Sequence, residues 1–238
     1  MDRMRLDKFL ATYTPLSRRE AKQVIRQGEV SVGGETATSE SDKVLPEQMI
    51  CLRGEKIIAR EHLYLMMNKP KGVLSATRDR EGRTVVDLVE GVERNIFPVG
   101  RLDKDTEGFL LLTDDGELAH RLLSPACHVP KTYYLEYEGE LGHDAVSQVA
   151  EGIDIGEKRP TKAGVLQLLG EGKAELTIEE GKYHQVKRMI AVLGGRVTYL
   201  KRLSMAGLEL DERLEPGEYR ELTEGEIALL RERERRNK

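Results

Sequence analysis

The 238-residue sequence contains no tryptophan, and its three phenylalanines and eight tyrosines keep the aromatic content at 5%. Hydrophobic residues make up 39% of the chain and charged residues 34%. This balance predicts modest cores and much solvated surface, although well-separated apolar stretches still indicate a folded protein. A chain of this length forms either one large domain or a small domain and a medium one.

Cysteine is also scarce, and Cys51 and Cys127 lie far apart in the sequence. Two distant thiols argue against a disulfide framework and against a cysteine-based zinc site, and free thiols are typical of a reducing cytoplasm. The N-terminal segment has no apolar core of signal-peptide length, and no stretch approaches the length of a membrane span. The sequence therefore predicts a cytoplasmic protein.

Several cofactor-binding motifs are missing as well. The sequence has no G-x-x-x-x-G-K-[ST] phosphate loop, no dinucleotide-binding fingerprint and no G-x-S-x-G nucleophile elbow. We therefore expect any chemistry to need neither a nucleotide cofactor nor a metal. The net charge of −4 argues against a uniformly basic nucleic-acid binder, so an RNA site would need a local cluster of Lys and Arg.

The first sixty residues are predicted to form a small unit of their own. The i, i+3, i+4 spacing of Leu6, Phe9 and Leu10 predicts a short amphipathic helix. Ser17 and Glu20 have the S-x-x-E spacing of a capping box, in which each side chain satisfies a free backbone N–H. The sequence therefore predicts that a second helix begins directly after Ser17.

A polar, charged connection over residues 53–62 separates two predicted domains, residues 1–60 and residues 61–238. In the second, short apolar runs rich in β-formers alternate with glycine turns, and 68–72 is predicted to be a loop because of its Pro and Gly. This pattern predicts an α+β fold with a mainly antiparallel sheet flanked by helices. The predicted strands are 63–67, 109–113, 131–137, 165–169 and 174–178, and the predicted helices are 184–193 and 224–238.

Basic side chains concentrate in the first thirty residues, which hold seven of them and four acidic ones, a local balance of +3. Arg18, Lys22 and Arg26 recur every four residues, so they line one helix face opposite the apolar stripe. Such a face suits contacts with RNA phosphates, although it is also typical of a solvated helix surface. The predicted RNA-binding residues are Arg5, Lys8, Arg18, Arg19, Lys22 and Arg26.

Three later segments place reactive side chains near predicted strands. The loop 100–108 packs acids and bases before an apolar strand, which suits either a catalytic loop or an ordinary charged turn. His184 is compatible with a general base, but a surface or structural role is favoured because no second ligand lies at metal spacing. Lys187 or Arg188 is a candidate for pairing with a buried carboxylate. Tyr133 offers either a core side chain or a ring face for a base.

Taken together and in order, these segments resemble a known family over essentially the whole chain. The resemblance to the S4-type RNA-binding module is carried by MRLDKFL (residues 4–10), SRREA (17–21) and GEVSV (28–32). The resemblance to the RsuA branch of pseudouridine synthases is carried by LMMNKPKG (65–72), GRLD (100–103), KTY (131–133) and EGKYHQVKRM (180–189).

The resemblance implies a pseudouridine synthase without a cofactor, and it assigns roles to four residues. Asp103 matches the catalytic aspartate, and Arg101 matches the arginine that helps to extrude the target nucleotide. Tyr133 matches the tyrosine that stacks on the uracil. Lys187 matches the basic residue that pairs with the aspartate, a position that is more often Arg in other branches.

Within this branch, YHQVKRM (183–189) and PGEYR (216–220) are most similar to members that modify small-subunit (16S) ribosomal RNA. The resemblance therefore predicts 16S RNA as the first candidate substrate and large-subunit (23S) RNA as the second. We expect a monomer that meets its RNA within a ribosome-assembly particle. A non-catalytic RNA-binding assembly protein and an RNA glycosidase are the alternatives, although Asp103, Tyr133 and Lys187 together argue against an idle domain.

Overall fold

A computed structural model of the chain describes residues 3–57, 62–92, 94–124, 127 and 129–235. Contacts divide it into two compact units, Met1–His62 and Leu63–Lys238. The domain boundary predicted between residues 60 and 61 lies outside the described residues and stays a prediction. The last three residues of the predicted C-terminal helix, 236–238, also lie outside them.

The first unit combines two helices with short antiparallel strands. Its elements are β1 (Met4–Arg5), α1 (Leu6–Tyr13), α2 (Arg18–Arg26), β2 (Val30–Val32), β3 (Glu35–Thr36), β4 (Lys43–Val44), β5 (Ile50–Leu52) and β6 (Glu55–Lys56). Strand β1 pairs with β4, and the other four strands form a sheet in the order β3-β2-β5-β6.

Local sequence signals explain both helices of this unit. The backbone N–H of Ser17 donates to Glu20 Oε2 at 2.8 Å, and the backbone N–H of Glu20 donates to Ser17 Oγ at 3.3 Å. The predicted capping box is therefore confirmed, and α2 begins after it. Leu6, Phe9 and Leu10 are completely buried on α1, as their spacing predicts.

The second unit is built on one large sheet with helices on both faces. Its strands are β7 (Tyr64–Lys69), β8 (Phe97–Pro98), β9 (Glu107–Thr113), β10 (Lys131–Gly139), β11 (Val165–Gly170), β12 (Lys173–Ile178), β13 (Gly195–Met205), β14 (Leu208–Glu209) and β15 (Tyr219–Glu221). Its helices are a 3-10 turn (Val86–Leu88), α3 (Gly116–Leu123), α4 (Ala145–Glu151), α5 (Gln185–Val192) and α6 (Glu224–Arg235).

Strand order in this sheet is β11-β12-β10-β13-β9-β7-β15, with β14 paired to β13 and β8 paired to β9. Neighbouring strands are antiparallel except β9 and β13, which run parallel. The predicted α+β fold with a mainly antiparallel sheet and flanking helices is therefore confirmed. The described part of the chain has no helix that is long and apolar enough to cross a membrane.

Alternating side chains on the central strands divide the interior into two cores. On β7, Leu65 and Met67 belong to one hydrophobic cluster, whereas Tyr64 and Met66 belong to the other. The same alternation continues along β9, because successive side chains of a strand point to opposite faces. Helices α4 and α5 pack against the first cluster, and α3 and α6 pack against the second.

Strand β7 is longer than the sequence pattern predicts. The Pro and Gly of residues 68–72 predict a loop, but Asn68 and Lys69 lie in the strand and are buried. Their nitrogen donors find partners there: Asn68 Nδ2 donates to the backbone O of Leu214 at 2.7 Å, and Lys69 Nζ donates to backbone carbonyls. Burial of these groups is tolerated because hydrogen bonds replace those that water would make.

The parallel contact between β9 and β13 depends on a glycine. Gly108 pairs with Arg202 and has a φ of +100°. A Cβ at this position would collide with the backbone O of Arg202 and lie 2.8 Å from its backbone N. Any other residue would push the strands apart at the point where the loop 101–106 enters the sheet.

Candidate active site

The loop that precedes β9 is held rigidly by its backbone. The backbone N–H of Leu102 donates to Ser75 Oγ at 3.0 Å, and Ser75 Oγ donates to the backbone O of Leu102 at 3.0 Å. The backbone N–H of Thr106 donates to the backbone O of Asp103 at 3.1 Å and closes a turn. Leu102 is buried, and its backbone makes both hydrogen bonds to Ser75. The backbone positions from which the side chains of Arg101 and Asp103 extend are therefore fixed.

Lys69 stabilises the same loop through hydrogen bonds to its backbone. Its Nζ donates to the backbone O of Thr106 at 2.8 Å and of Pro70 at 3.0 Å, and lies 3.5 Å from that of Lys104. Burial lowers the pKa of Lys69 to about 8, although nearby carboxylates oppose the shift. A completely buried side chain thus ties the end of β7 to the loop that carries Asp103.

A cavity of about 1110 Å³ opens beside this loop. Residues 99–105 and 179–184 line it, together with side chains from β10, β13 and α5. All four residues that the resemblance assigns to the site, Arg101, Asp103, Tyr133 and Lys187, are among its lining residues. The structure therefore brings together side chains that the sequence distributes over three distant segments.

Asp103 and Lys187 form an ion pair at the wall of the cavity. Lys187 Nζ lies 3.1 Å from Asp103 Oδ2 and 2.6 Å from Asp105 Oδ1. The Asp103 side chain is 27% exposed and that of Lys187 25%, so both are partly desolvated and remain accessible from the cavity.

The ion pair of Lys187 with Asp105 shifts the pKa of both groups. Burial lowers the pKa of Lys187, but the hydrogen bonds to Asp105 and Asp103 outweigh it and hold that pKa above its ordinary value. The hydrogen bond from Lys187 lowers the pKa of Asp105. The lysine therefore stays charged at neutral pH, and it lies between two carboxylates.

Helix α5 delivers Lys187 to the cavity, and the segment in front of it is anchored on both sides. Gln185 Nε2 donates to Glu180 Oε1 at 2.9 Å, and the same carboxylate oxygen accepts the backbone N–H of Lys162 at 2.8 Å. Arg188 points elsewhere, because its Nη1 donates to Glu157 Oε1 at 2.7 Å. Of the two neighbouring cations, Lys187 is the one that pairs with the acidic loop.

Tyr133 lies on β10 at the floor of the cavity, opposite Arg202 of β13 in the sheet register. Only 8% of Tyr133 is exposed, so the side chain is part of the hydrophobic core and of the cavity wall at once. The two readings that the sequence left open, core residue or ring face for a base, are compatible in this position. Arg101 is exposed at the cavity and belongs to its lining.

In the first unit, three of the predicted basic residues surround one buried carboxylate. Asp7 is 1% exposed; Arg5 Nε lies 3.1 Å from its Oδ1, Arg18 Nη2 3.4 Å from the same atom, and Lys22 Nζ 3.9 Å from Oδ2. Together with Arg19 these side chains line a shallow depression. Asp7 thus pairs with Arg5, Arg18 and Lys22, whose side chains remain partly exposed.

Two other predicted residues lie apart from this depression. Arg26 binds Glu40, with its Nη2 2.9 Å from Glu40 Oε1. Lys8 is exposed on α1. The six predicted RNA-binding residues therefore do not form one continuous cluster.

Sequence reasoning missed several cavity residues. His184, which it favoured as a surface or structural residue, places Nε2 3.6 Å from Asp103 Oδ1. Lys131 and Arg202 are buried at the cavity floor: Lys131 Nζ donates to the backbone O of Val129 at 2.9 Å, and Arg202 Nε donates to that of Phe109 at 2.8 Å. Burial, and to a smaller extent repulsion from Arg202, lowers the pKa of Lys131 to about 8.

No sequence signal pointed to Arg202, because a charged residue on a strand is ordinarily read as solvent-facing. Within the described ranges, no group of three or more His, Cys, Asp and Glu side chains is arranged to hold a metal ion.

Comparisons with known proteins match both units. The sequence profile of the family described as RNA pseudouridylate synthase matches residues 63–192, and that of the S4 domain matches residues 4–50. A Bacillus subtilis (strain 168) protein named "Uncharacterized RNA pseudouridine synthase YtzG" is 50% identical over 236 residues, which cover 96% of this chain and 99% of that protein.

Two further relatives extend the match to a named ribosomal enzyme and a solved structure. The "Ribosomal small subunit pseudouridine synthase A" of Escherichia coli (strain K12) is 43% identical over 231 residues, 95% of this chain and all of that protein. A solved structure described as "Crystal structure of pseudouridylate synthase" is 41% identical, covers 95% of this chain and 99% of its own, and superposes with a TM-score of 0.68. The chain therefore belongs to the RNA pseudouridylate synthase family, and it is an RNA pseudouridine synthase in which an S4 domain precedes the pseudouridine synthase domain.

Proposed function

We propose that this enzyme isomerises a specific uridine of small-subunit (16S) ribosomal RNA to pseudouridine, with Asp103 as its catalytic residue. The observation that carries the catalytic assignment is the accessible carboxylate of Asp103 in the cavity, 3.1 Å from the ammonium of Lys187. The 16S substrate is supported by relatives that carry the name "Ribosomal small subunit pseudouridine synthase A" and match nearly the whole chain.

The charge of the cavity supports an RNA substrate. Its lining carries seven basic and four acidic side chains, a net charge of +3, although the whole chain has a net charge of −4. Such local concentration of cations suits phosphates, whose contacts supply much of the affinity in RNA binding.

The reaction breaks the N1–C1′ bond of uridine and joins C1′ to C5 of the same base. The electron pair of the broken bond stays on the uracil, which rotates and attacks C1′ through C5; the C5 proton is lost and N1 gains one. No atom is transferred to or from another molecule apart from these protons. A carboxylate at C1′ either traps the sugar or stabilises its oxocarbenium-like charge, as in retaining glycoside hydrolysis.

The remaining cavity residues have distinct proposed roles. Lys187 holds the carboxylate of Asp103 in place through their ion pair. Tyr133 stacks on the detached uracil and keeps it in the cavity, and Arg101 helps to hold the target nucleotide out of the RNA stack.

The S4 domain is proposed to supply sequence-independent affinity. Arg5, Arg18, Arg19 and Lys22 line its basic depression, and we propose that they contact phosphates, with Lys8 and Arg26 as outer contacts. The RNA is proposed to be presented within a ribosome-assembly particle in the cytoplasm, and the enzyme to act as a monomer.

The substrate assignment is tested by tritium release from [5-³H]uridine-labelled RNA, because loss of the C5 proton accompanies each turnover. Labelled 16S and 23S transcripts and the matching ribonucleoprotein particles are offered separately, and the modified uridine is then mapped. Release from 16S RNA or its particle supports the proposal. Release from 23S RNA alone contradicts the substrate, and free labelled uracil would indicate a glycosidase instead.

A further inference from the structure

We propose that Tyr183 and His184 form a stacking shelf that binds the base of a nucleotide adjacent to the target uridine. This inference rests on the proposed function, because it assigns a second base-binding position in the same cavity. Tyr133 is the buried base-binding position, for the target uracil. The shelf is an exposed second position at the cavity edge, for the base of a different nucleotide.

The two rings of the shelf are already stacked on each other. Their centroids lie 3.8 Å apart and the ring planes are inclined by 21°. Both residues line the cavity, but 75% of Tyr183 is exposed. An aromatic side chain of this size leaves a large apolar face in water, and a base that covers this face gains both apolar burial and stacking.

The backbone of the shelf is fixed, so binding there would cost little ordering. Arg188 Nη1 donates to the backbone O of Tyr183 at 3.1 Å, and Glu157 holds the same nitrogen. His184 has a left-handed φ of 50° and directly precedes α5, so its backbone is held at the helix start. A pre-positioned aromatic face loses less conformational entropy on binding than a mobile one.

The position of the shelf identifies its ligand as a neighbour of the target uridine. His184 Nε2 lies 3.6 Å from Asp103 Oδ1, so the shelf adjoins the proposed catalytic carboxylate. A base on Tyr183 must therefore belong to a nucleotide closely joined to the one whose C1′ faces Asp103. Aromatic rings stack on any unpaired base, because every base has a π face.

Three variants test the shelf in steady-state tritium release from 16S particles. Tyr183→Leu removes the ring, Tyr183→Phe keeps it, and Val192→Ala truncates an apolar side chain on α5 that is 53% exposed and does not line the cavity. Loss of one base-stacking contact is expected to raise KM about tenfold for Tyr183→Leu with kcat nearly unchanged. Tyr183→Phe restores the wild-type KM, and Val192→Ala leaves it unaltered.

A second arm identifies the stacked base directly. Splint-ligated 16S RNA receives one abasic nucleotide on the 5′ or the 3′ side of the mapped uridine. With the abasic nucleotide at one of these positions, the kcat/KM of wild type is expected to be about tenfold lower than with intact RNA. The kcat/KM of Tyr183→Leu is expected to be the same with that abasic RNA as with intact RNA, because the stacking contact is already absent.

Two results overturn the shelf while leaving the proposed function intact. The first is a wild-type KM for Tyr183→Leu on intact RNA. The second is that, at both positions, the abasic nucleotide lowers the kcat/KM of Tyr183→Leu by the same factor as that of wild type, so that the two losses are independent. Wild type that releases tritium from no RNA overturns the proposed function together with the shelf.

Discussion

Lys187 places its Nζ 3.1 Å from Oδ2 of Asp103, across the cavity wall from helix α5 to the loop before β9. The same ammonium is 2.6 Å from Asp105, so one cation serves two carboxylates. This arrangement gives the neighbouring acids different environments: Asp103 lines the cavity at 27% exposure, whereas the side chain of Asp105 is 59% exposed.

Removal of the cation is expected to impair turnover more than stability. Lys187→Met leaves Asp103 without its charged partner, and we expect kcat to fall about 100-fold, the scale of losing one charge-stabilising group. Because both partners are partly exposed, the free energy of unfolding should change by less than about 1 kcal/mol. Single-turnover tritium release and urea unfolding measure the two effects.

Lys187→Arg is the matched variant, since it retains the positive charge. It is expected to keep most of the turnover that Lys187→Met loses. Equal losses in both variants would mean that the side chain acts through its shape rather than its charge.

Asp105→Asn is expected to preserve turnover. The amide cannot compete for Lys187 as strongly, so the ammonium remains available to Asp103. We expect kcat within about threefold of wild type, since a single change in a surface ion pair is energetically small. A loss as large as that of Lys187→Met would show that Asp105 takes part in the chemistry.

The pairing of Asp103 with Lys187 was accessible from the sequence only through the resemblance. Composition and spacing left the loop 100–108 as either a catalytic loop or a charged turn, and they did not choose between Lys187 and Arg188. The structure separates these two cations through their partners, because Arg188 is held by Glu157. Long-range pairs of this kind depend on sheet topology, which local periodicity does not encode.

Lys69 is expected to make stability depend on pH in the alkaline range. Burial lowers its pKa to about 8 in the folded protein, against 10.5 for an ordinary lysine. Below pH 8 both states bind the proton; between pH 8 and 10.5 the unfolded state binds it and the folded state does not. Rising pH therefore favours folding through this group, and the contribution is lost as pH falls through 8.

Urea unfolding of wild type and Lys69→Met at several pH values measures this linkage. The free energy of unfolding of wild type relative to Lys69→Met should increase by about 1–3 kcal/mol between pH 8 and 10.5. A flat difference, or one of opposite slope, would show that the buried ammonium does not release its proton there.

The basic depression of the S4 domain is expected to control salt dependence. The double variant Arg18→Gln, Lys22→Gln removes two cations beside Asp7 while Arg5 still pairs with that carboxylate. If both residues contact phosphates, the negative slope of the logarithm of the RNA association constant against the logarithm of the salt concentration becomes shallower by about 1–2. Arg53→Gln, which removes an exposed cation bound to Glu29 in the same unit, is the control. An unchanged slope in the double variant would remove this face from the RNA interface.

Local signals predicted the capping box at Ser17 and Glu20, the buried apolar faces of both N-terminal helices, and five strands of the second unit, but not β8, β13, β14 or β15. They failed where polar side chains are buried by tertiary contacts. Lys69 can be buried in a strand because carbonyls of a distant loop accept hydrogen bonds from its ammonium, and Arg202 is hidden because Gly108 lets two strands approach. The close approach of β13 to β9 and the partners of these cations arise from the assembled sheet, so no window of sequence contains them.

The central claim is that Asp103 performs the chemistry, and single-turnover tritium release from [5-³H]uridine-labelled 16S particles tests it most directly. Wild type, Asp103→Asn and Asp105→Asn are compared at equal, saturating enzyme, with RNA binding measured in parallel. We expect Asp103→Asn to bind RNA as wild type does and to release no tritium, while Asp105→Asn releases it at nearly the wild-type rate. Substantial release by folded Asp103→Asn would contradict the account.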